Sequence, residues 1–166
     1  MILYYFKESD AMPQITKGGK FIYGWSLINE DYSVYLPPQV VREYNINRSG
    51  KIILMSSSKI TGGFCISSKK LFLNSKLSSL TSKLGDVFDY RTEKEELIFY
   101  NDRFFTWTNI DEKGSIRLNK KTLDYLELKV SERLLVIRSS SLAFTLGAKG
   151  PIFERVAASK AEIKVF

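Results

Sequence analysis

Trp25-Ser26-Leu27-Ile28-Asn29-Glu30-Asp31-Tyr32-Ser33-Val34-Tyr35-Leu36 is matched 82 positions later by Trp107-Thr108-Asn109-Ile110-Asp111-Glu112-Lys113-Gly114-Ser115-Ile116-Arg117-Leu118. Without a gap, Trp25 falls on Trp107, Ile28 on Ile110, Glu30 on Glu112, Ser33 on Ser115 and Leu36 on Leu118. Further along, Ser49 meets Ser131, Ser57 meets Ser139 and Ser58 meets Ser140. Ile52-Ile53-Leu54-Met55 lies on Leu134-Leu135-Val136-Ile137. The identities are few, but the apolar positions stay in phase, so the stretch from Trp25 to Ile60 reads as the first of two copies. Self-similarity at a fixed spacing is read before local patterns, and two copies imply that one unit does not close its own core.

The chain has 166 residues, enough for one ordinary domain or for two small ones that share a core, and the repeat favours the second. Its 44% hydrophobic and 26% charged residues match an average soluble globular protein. No apolar run approaches the ~18–20 residues that span a bilayer. Met1-Ile2-Leu3-Tyr4-Tyr5-Phe6 is too short for a signal peptide and has no basic flank, so a cytoplasmic protein with no membrane contact is expected. A lone cysteine, Cys65, excludes an internal disulfide. With no histidine, a Cys/His zinc site and an imidazole base are excluded too, and no metal or cofactor is expected. The net charge of +7 points to an anionic partner, nucleic acid before an acidic substrate.

Local patterns give the elements. Residues 2–6 read as a short strand, and residues 7–20, with Pro13 and Gly18-Gly19, as a loop. The first copy then runs as a strand over residues 21–28, a tight turn at Asn29-Glu30-Asp31-Tyr32 and a short strand over 33–36. In that short strand Val34 and Leu36 face inward, leaving Ser33 and Tyr35 outward. Pro37-Pro38 ends it, and Pro38 opens a two-turn helix to residue 44 that presents Val40, Val41 and Tyr44 to a core. After turn residues 45–50, residues 51–55 form a strand apolar on both faces, and a fourth strand lies around 60–66, interrupted by Gly62-Gly63. The second copy repeats this order with strands at 104–110, 115–118, 133–138 and 142–146. Asn119 caps its helix over 120–126, which buries Leu123 and Leu126. Between the copies, Leu77, Leu80 and Leu84 form one helical stripe over residues 75–84, stopped by Gly85. A helix over 151–158 and a strand over 162–166 close the chain.

This order of a strand, an acidic turn, a short strand ending in Leu-Pro, a short helix, an Ile-Asn-Arg-Ser-Gly turn and an apolar strand resembles the swapped-hairpin domain of the AbrB/SpoVT/MazE regulators and of the two-copy MraZ proteins. The residues that carry the resemblance are Val34-Tyr35-Leu36-Pro37-Pro38-Gln39-Val40-Val41-Arg42-Glu43-Tyr44-Asn45-Ile46 with Gly50-Lys51-Ile52-Ile53-Leu54, and Asp111-Glu112-Lys113-Gly114-Ser115-Ile116-Arg117-Leu118. It implies a mainly β protein with short helices (α+β), in which two tandem swapped-hairpin β-barrel repeats form an intrachain pseudo-twofold barrel. The first repeat is residues 1–82, with hairpin motif 21–66 and connecting helix 75–84; the second is residues 83–166, with motif 103–146 and the C-terminal helix and strand. It also implies a DNA-binding transcription regulator that holds mostly phosphate backbone, with further self-association. The chain departs from the pattern where DNA-binding members carry Gly-Arg after the turn, having Gly114-Ser115 in one copy and Tyr32-Ser33 in the other. Tyr35 stands where the second copy has Arg117. These departures keep an alternative open: a protein-interaction or assembly module on the same fold that binds no DNA.

Lys113, Arg117, Lys120 and Lys121 are the densest basic group. If Ile116 faces the core, alternation turns Arg117 outward beside the lysines, where the group can pair with phosphates and release counterions. Its bland reading is a solvated surface offset by Asp111, Glu112 and Asp124. Arg42, Arg48 and Lys51 are the sparser candidates of the first copy, with Arg138 and Lys59 behind them. Trp25 and Trp107, and the aromatics Tyr4, Tyr5, Phe6, Phe104 and Phe105, read as core rather than as stacking platforms. Gly18-Gly19 and Gly62-Gly63 lack the context of a phosphate loop and read as turns. Glu93-Lys94-Glu95-Glu96 reads as an exposed charged segment, and Cys65 as a small buried residue without a base partner. No carboxylate spacing argues for a catalytic centre, so no enzyme is expected.

Overall fold

A computed structural model of the chain describes residues 3–4, 14–15, 21–160 and 162–166, the first two pairs by backbone alone. In chain order its elements are β1 (Leu3–Tyr4), β2 (Gln14–Ile15), β3 (Phe21–Leu27), β4 (Ser33–Tyr35), α1 (Pro38–Tyr44), β5 (Lys51–Ser56) and β6 (Phe64–Ser67). There follow α2 (Lys69–Leu73), α3 (Leu80–Lys83), α4 (Gly85–Phe88), β7 (Ile98–Tyr100) and β8 (Arg103–Asn109). The chain closes with β9 (Ser115–Arg117), α5 (Lys120–Tyr125), β10 (Arg133–Arg138), β11 (Phe144–Gly147) and α6 (Pro151–Ala157). The protein is therefore mainly antiparallel β with short helices. Pro13, Gly18-Gly19, Tyr5 and Phe6 fall outside the described residues.

Nine strands form one sheet in the order β1-β2-β3-β10-β11-β6-β5-β8-β7, and β4 pairs separately with β9. The long pairings cross between the two halves of the chain: β3 lies against β10, with Trp25 opposite Leu135, and β5 lies against β8, with Trp107 opposite Ile53. A shift of 82 positions carries one register onto the other. Two further strand pairings between halves put Val34 opposite Ile116 in the β4–β9 ribbon and Cys65 opposite Thr145 where β6 meets β11. One irregularity breaks the parallel between the long pairs, a bulge between Val136 and Ile137 opposite Gly24. At Gly24 a Cβ would come within 2.7 Å of the Phe166 ring, so that position admits no side chain without displacing the C-terminus.

Alternation divides each third strand between the two faces of the sheet. Ile52 and Leu54 of β5, with Leu134 and Val136 of β10, join the main cluster, which includes Val34, Leu36, Val40, Val41, Tyr44, Ile116, Leu118 and Leu123. The β4–β9 ribbon, α1 and α5 thus cover one face of the sheet. On the other face, Ile53 and Met55 pack with Phe72, Val87 and Phe88 of α2 and α4, and Leu135 and Ile137 pack with Val156 of α6. Hence both strands are apolar at successive positions; burying each such side chain is worth about 1.5–3 kcal/mol. Trp25, Phe104, Phe105 and Cys65 are buried as their context predicts.

Helix α1 buries Val40, Val41 and Tyr44 as read, and Asn119 caps α5 by accepting from the Thr122 amide at 2.8 Å. The stripe over residues 75–84 is not one helix. Ser75 accepts from the Leu77 amide and donates to the Phe72 carbonyl, and Thr81 donates to the Ser78 carbonyl. Such side chains offer the backbone local alternatives to an α-helical ladder. The result is α3 and α4, with Leu77 exposed and Gly85 opening α4 instead of stopping a helix. Ser33, read as outward, is buried, and its hydroxyl donates to Asp31. The fourth strands begin later than read, at Phe64 and Phe144. The expected C-terminal strand is a single parallel bridge, Val165 with Trp25.

Two substitutions test these joints. Tyr44 shares its one hydroxyl proton between the carbonyls of Ser140 (2.6 Å), the main acceptor, and Ala143 (3.2 Å), tying α1 to the β10–β11 turn. Tyr44→Phe leaves both acceptors without that donor and is expected to cost about 1–2 kcal/mol in urea unfolding, with an unchanged slope. Gly63 has φ +69°, and a Cβ there would lie 1.9 Å from the Leu146 carbonyl oxygen. Gly63→Ala is expected to cost about 2–4 kcal/mol in the same measurement.

Candidate functional site

Two four-residue turns position the candidate basic residues. In one, Asp111 accepts at a single carboxylate oxygen from the amides of Lys113 (3.0 Å) and Ser115 (2.8 Å), and Gly114 closes the turn at φ +82°. This is aspartate's usual turn chemistry, a side chain that binds the backbone two residues on. In the other, Tyr32 takes the equivalent left-handed place at φ 69°, and Asp31 accepts from the Ser33 amide and hydroxyl. Those Ser33 bonds hold the Asp31 carboxyl below its ordinary range, with Arg117 adding to the effect.

The turns sit at opposite ends of the β4–β9 ribbon, and this divides the densest basic group. Lys113 belongs to the turn that packs on the first half: Gly114 abuts Val41, and the Glu112 carbonyl accepts from the Asn47 side chain at 2.9 Å. Lys113 is thereby brought to the corner that holds Arg42 and Arg48. Arg117 lies at the other end, paired with Asp31 at 3.0 Å. Lys120 pairs with Asp124 at 2.8 Å, one helical turn on, which raises its pKa. Both pairs are largely exposed, so they are weak and readily exchanged for another anion. Among the described residues, Arg42, Arg48, Lys113 and Lys121 are exposed and form no ion pair.

Lys51 has a different setting. Its ammonium lies 4.9 Å from the Tyr90 ring centroid and 5.5 Å from that of Trp107. Arg133, 82 positions on, stands over Trp25 at 4.1 Å. Each tryptophan therefore packs under a cation from the third strand of the other half, a cation–π arrangement that supports the crossed pairing. Arg138 forms an ion pair with Glu43, which also accepts from Tyr23 at 2.6 Å. Burial and that acceptor push the Tyr23 hydroxyl's pKa well up.

Two features escape local reading. Glu95, in the segment read as exposed, is buried at 6% and accepts from the Asn119 amide at 2.8 Å. It thus joins the loop before β7 to the start of α5. The second feature is a cleft of about 620 Å³ between the end of α1, α2 and Tyr90, where Lys69 and Lys70 join Arg48. A smaller groove of about 430 Å³ along the β4–β9 ribbon holds Arg117 and Lys94 but also Asp31 and Asp111, so its charges balance. Among the described residues no three His, Cys, Asp or Glu side chains converge as metal ligands, and no helix is long and apolar enough to cross a membrane.

Burial raises the Glu95 pKa above its ordinary value, opposed by the Asn119 amide. A carboxyl that holds its proton to higher pH when folded contributes stability below its unfolded pKa and loses it as pH rises through the folded one. Glu95→Gln retains an acceptor and removes the buried charge. The variant is expected to match wild type near about pH 4 and to exceed its melting temperature at neutral pH. A gap of the opposite sign at neutral pH in paired thermal melts would refute this account.

Neither a protein-family model nor a curated protein sequence matches this chain.

Proposed function

We propose that the chain is a DNA-binding regulator built on a duplicated swapped-hairpin barrel, with repeats at residues 1–82 and 83–166, holding the phosphate backbone. The observation that carries this reading is the pair of crossed registers, Trp25 opposite Leu135 and Trp107 opposite Ile53, on a chain of net charge +7 whose unpaired cations lie on the turns and short helices of that frame. A frame with two related halves in one chain supports the tandem swapped-hairpin reading and its likeness to the AbrB/SpoVT/MazE pattern. Arg42 and Lys113 at one corner, and Lys121 with the weakly paired Arg117 and Lys120 at the other, offer phosphate contacts that position a duplex without reading bases.

A second reading has its own observation. Phe99 on the edge strand β7 and Tyr125 are both about half exposed and pack edge to face, with ring centroids 5.5 Å apart. An exposed aromatic pair beside a strand edge that is unpaired among the described residues suits a protein-interaction or assembly module.

Fluorescence anisotropy with random duplex DNA across a salt series separates the two. DNA binding is expected to weaken with salt along a log–log line whose steepness is about 0.9 for each phosphate that the protein neutralises. The triple variant Arg42→Ala/Lys113→Ala/Lys121→Ala is expected to bind more weakly and with a shallower slope. If it binds DNA as wild type does, or wild type binds none at low salt, the regulator reading fails.

A further inference from the structure

The cleft beside α1 combines features that neither the fold nor a phosphate-backbone surface requires. Its volume of about 620 Å³ is that of a small-molecule site. Three cations, Arg48, Lys69 and Lys70, stand on its wall, and Leu71, Leu73 and Tyr90 give it an apolar side. Lys69 is held by Asp89, which also takes Arg91. Arg48 and Lys70 are exposed and have no ion pair among the described residues. Glu43 also lines the wall, but its carboxylate is engaged by Tyr23, Arg138 and Gln39. The cleft therefore offers two uncommitted cations and no free carboxylate to answer them.

Nor does the frame demand Arg48. At the Arg48 place, where the 82-position shift that relates the crossed registers still holds, the other half carries the neutral Val130. Tyr90 adds a backbone sign, since it holds φ 59°, a conformation uncommon for a bulky residue that costs energy and concentrates at functional sites. Its ring packs against Trp107 with centroids 5.5 Å apart, so whatever touches Tyr90 changes the surroundings of a fluorophore.

We infer that this cleft binds a phosphorylated small molecule with a planar group, the size and chemistry of a nucleoside diphosphate. Arg48 and Lys70 take the phosphate oxygens, with the guanidinium able to hold two at once. The planar group lies along Leu71, Leu73 and Tyr90. This site does not depend on the DNA-binding reading, because Arg42, Lys113 and Lys121 are not among its lining residues.

Isothermal titration with ADP, adenosine and inorganic pyrophosphate at low salt, followed in parallel by tryptophan fluorescence, tests the assignment. Saturable ADP binding, tighter than that of adenosine or pyrophosphate and accompanied by a change in emission, is expected. Arg48→Ala and Lys70→Ala, both exposed and hence compatible with the fold, should each weaken ADP by about tenfold, as loss of a charged hydrogen bond does. Lys121→Ala should leave ADP affinity within about twofold, a surface change outside the site. Absence of saturable ADP binding, equal affinity for ADP and pyrophosphate, or unchanged affinity in both cleft variants would overturn the assignment. A short single-stranded oligonucleotide that competes with ADP, and loses affinity in the same two variants, would place the nucleotide within a strand instead of free in solution. Loss of duplex binding in Arg42→Ala/Lys113→Ala/Lys121→Ala with ADP binding intact keeps the two conclusions separate.

Discussion

The pairing of each half's first strand with the other half's third strand is the constraint on which the rest depends. β3 needs β10 and β8 needs β5, so the sheet becomes continuous only when residues more than a hundred positions apart, such as Trp25 and Leu135, are brought together. Within a half the two long strands, β3 and β5 or β8 and β10, do not pair with each other. Closing such distant pairs costs loop entropy before the new packing repays it, which sets this chain among slow, non-local folders. The cations placed over Trp25 and Trp107 come from the crossing strands themselves, so they strengthen the joint that defines the molecule.

From that joint the rest of the frame follows. With the long strands crossed, the β4–β9 ribbon, α1 and α5 have one sheet face to cover, and α2, α4 and α6 the other. The turns are then held by neighbours from the opposite half: Leu36 donates to the Gly114 carbonyl, and Leu118 to that of Tyr32. Gly114 answers a close approach, because any Cβ there would lie 2.8 Å from Val41. In the same place Tyr32 accepts the left-handed backbone with a side chain that packs on the core, the cost being met by the turn's own hydrogen bonds.

Charge does not follow the matched registers of the long strands. Where one corner carries Arg42, Arg48 and Lys113, the equivalent positions of the other are Asp124, Val130 and Asp31. Two of those three replacements are carboxylates, and they hold Lys120 and Arg117 in ion pairs. A fold leaves such choices to surface side chains, which is why the frame alone decides no function. The corner without a carboxylate on its free cations is the one that opens into the cleft.

The sequence by itself determined the α+β class, the buried face of α1, the Asn119 cap and the two-sided apolar character of β5 and β10. These are local or periodic properties, written in which faces are apolar and which residue can cap a helix. Only the tertiary structure decided the rest. It divided the Lys113–Arg117–Lys120–Lys121 group between two ends of a ribbon, because the turn before each short strand packs on a different half. It buried Glu95, whose charged neighbours Glu93, Lys94 and Glu96 mark the segment as solvated, because one amide at the start of α5 needed an acceptor. It broke the leucine stripe at residues 75–84, where serine and threonine hydroxyls took backbone partners, and it joined Lys69 and Lys70 to Arg48 across about twenty residues of chain. Whether a charge is free, paired or buried depends on what packs beside it, and in a sheet made of crossed strands those neighbours come from far away in sequence.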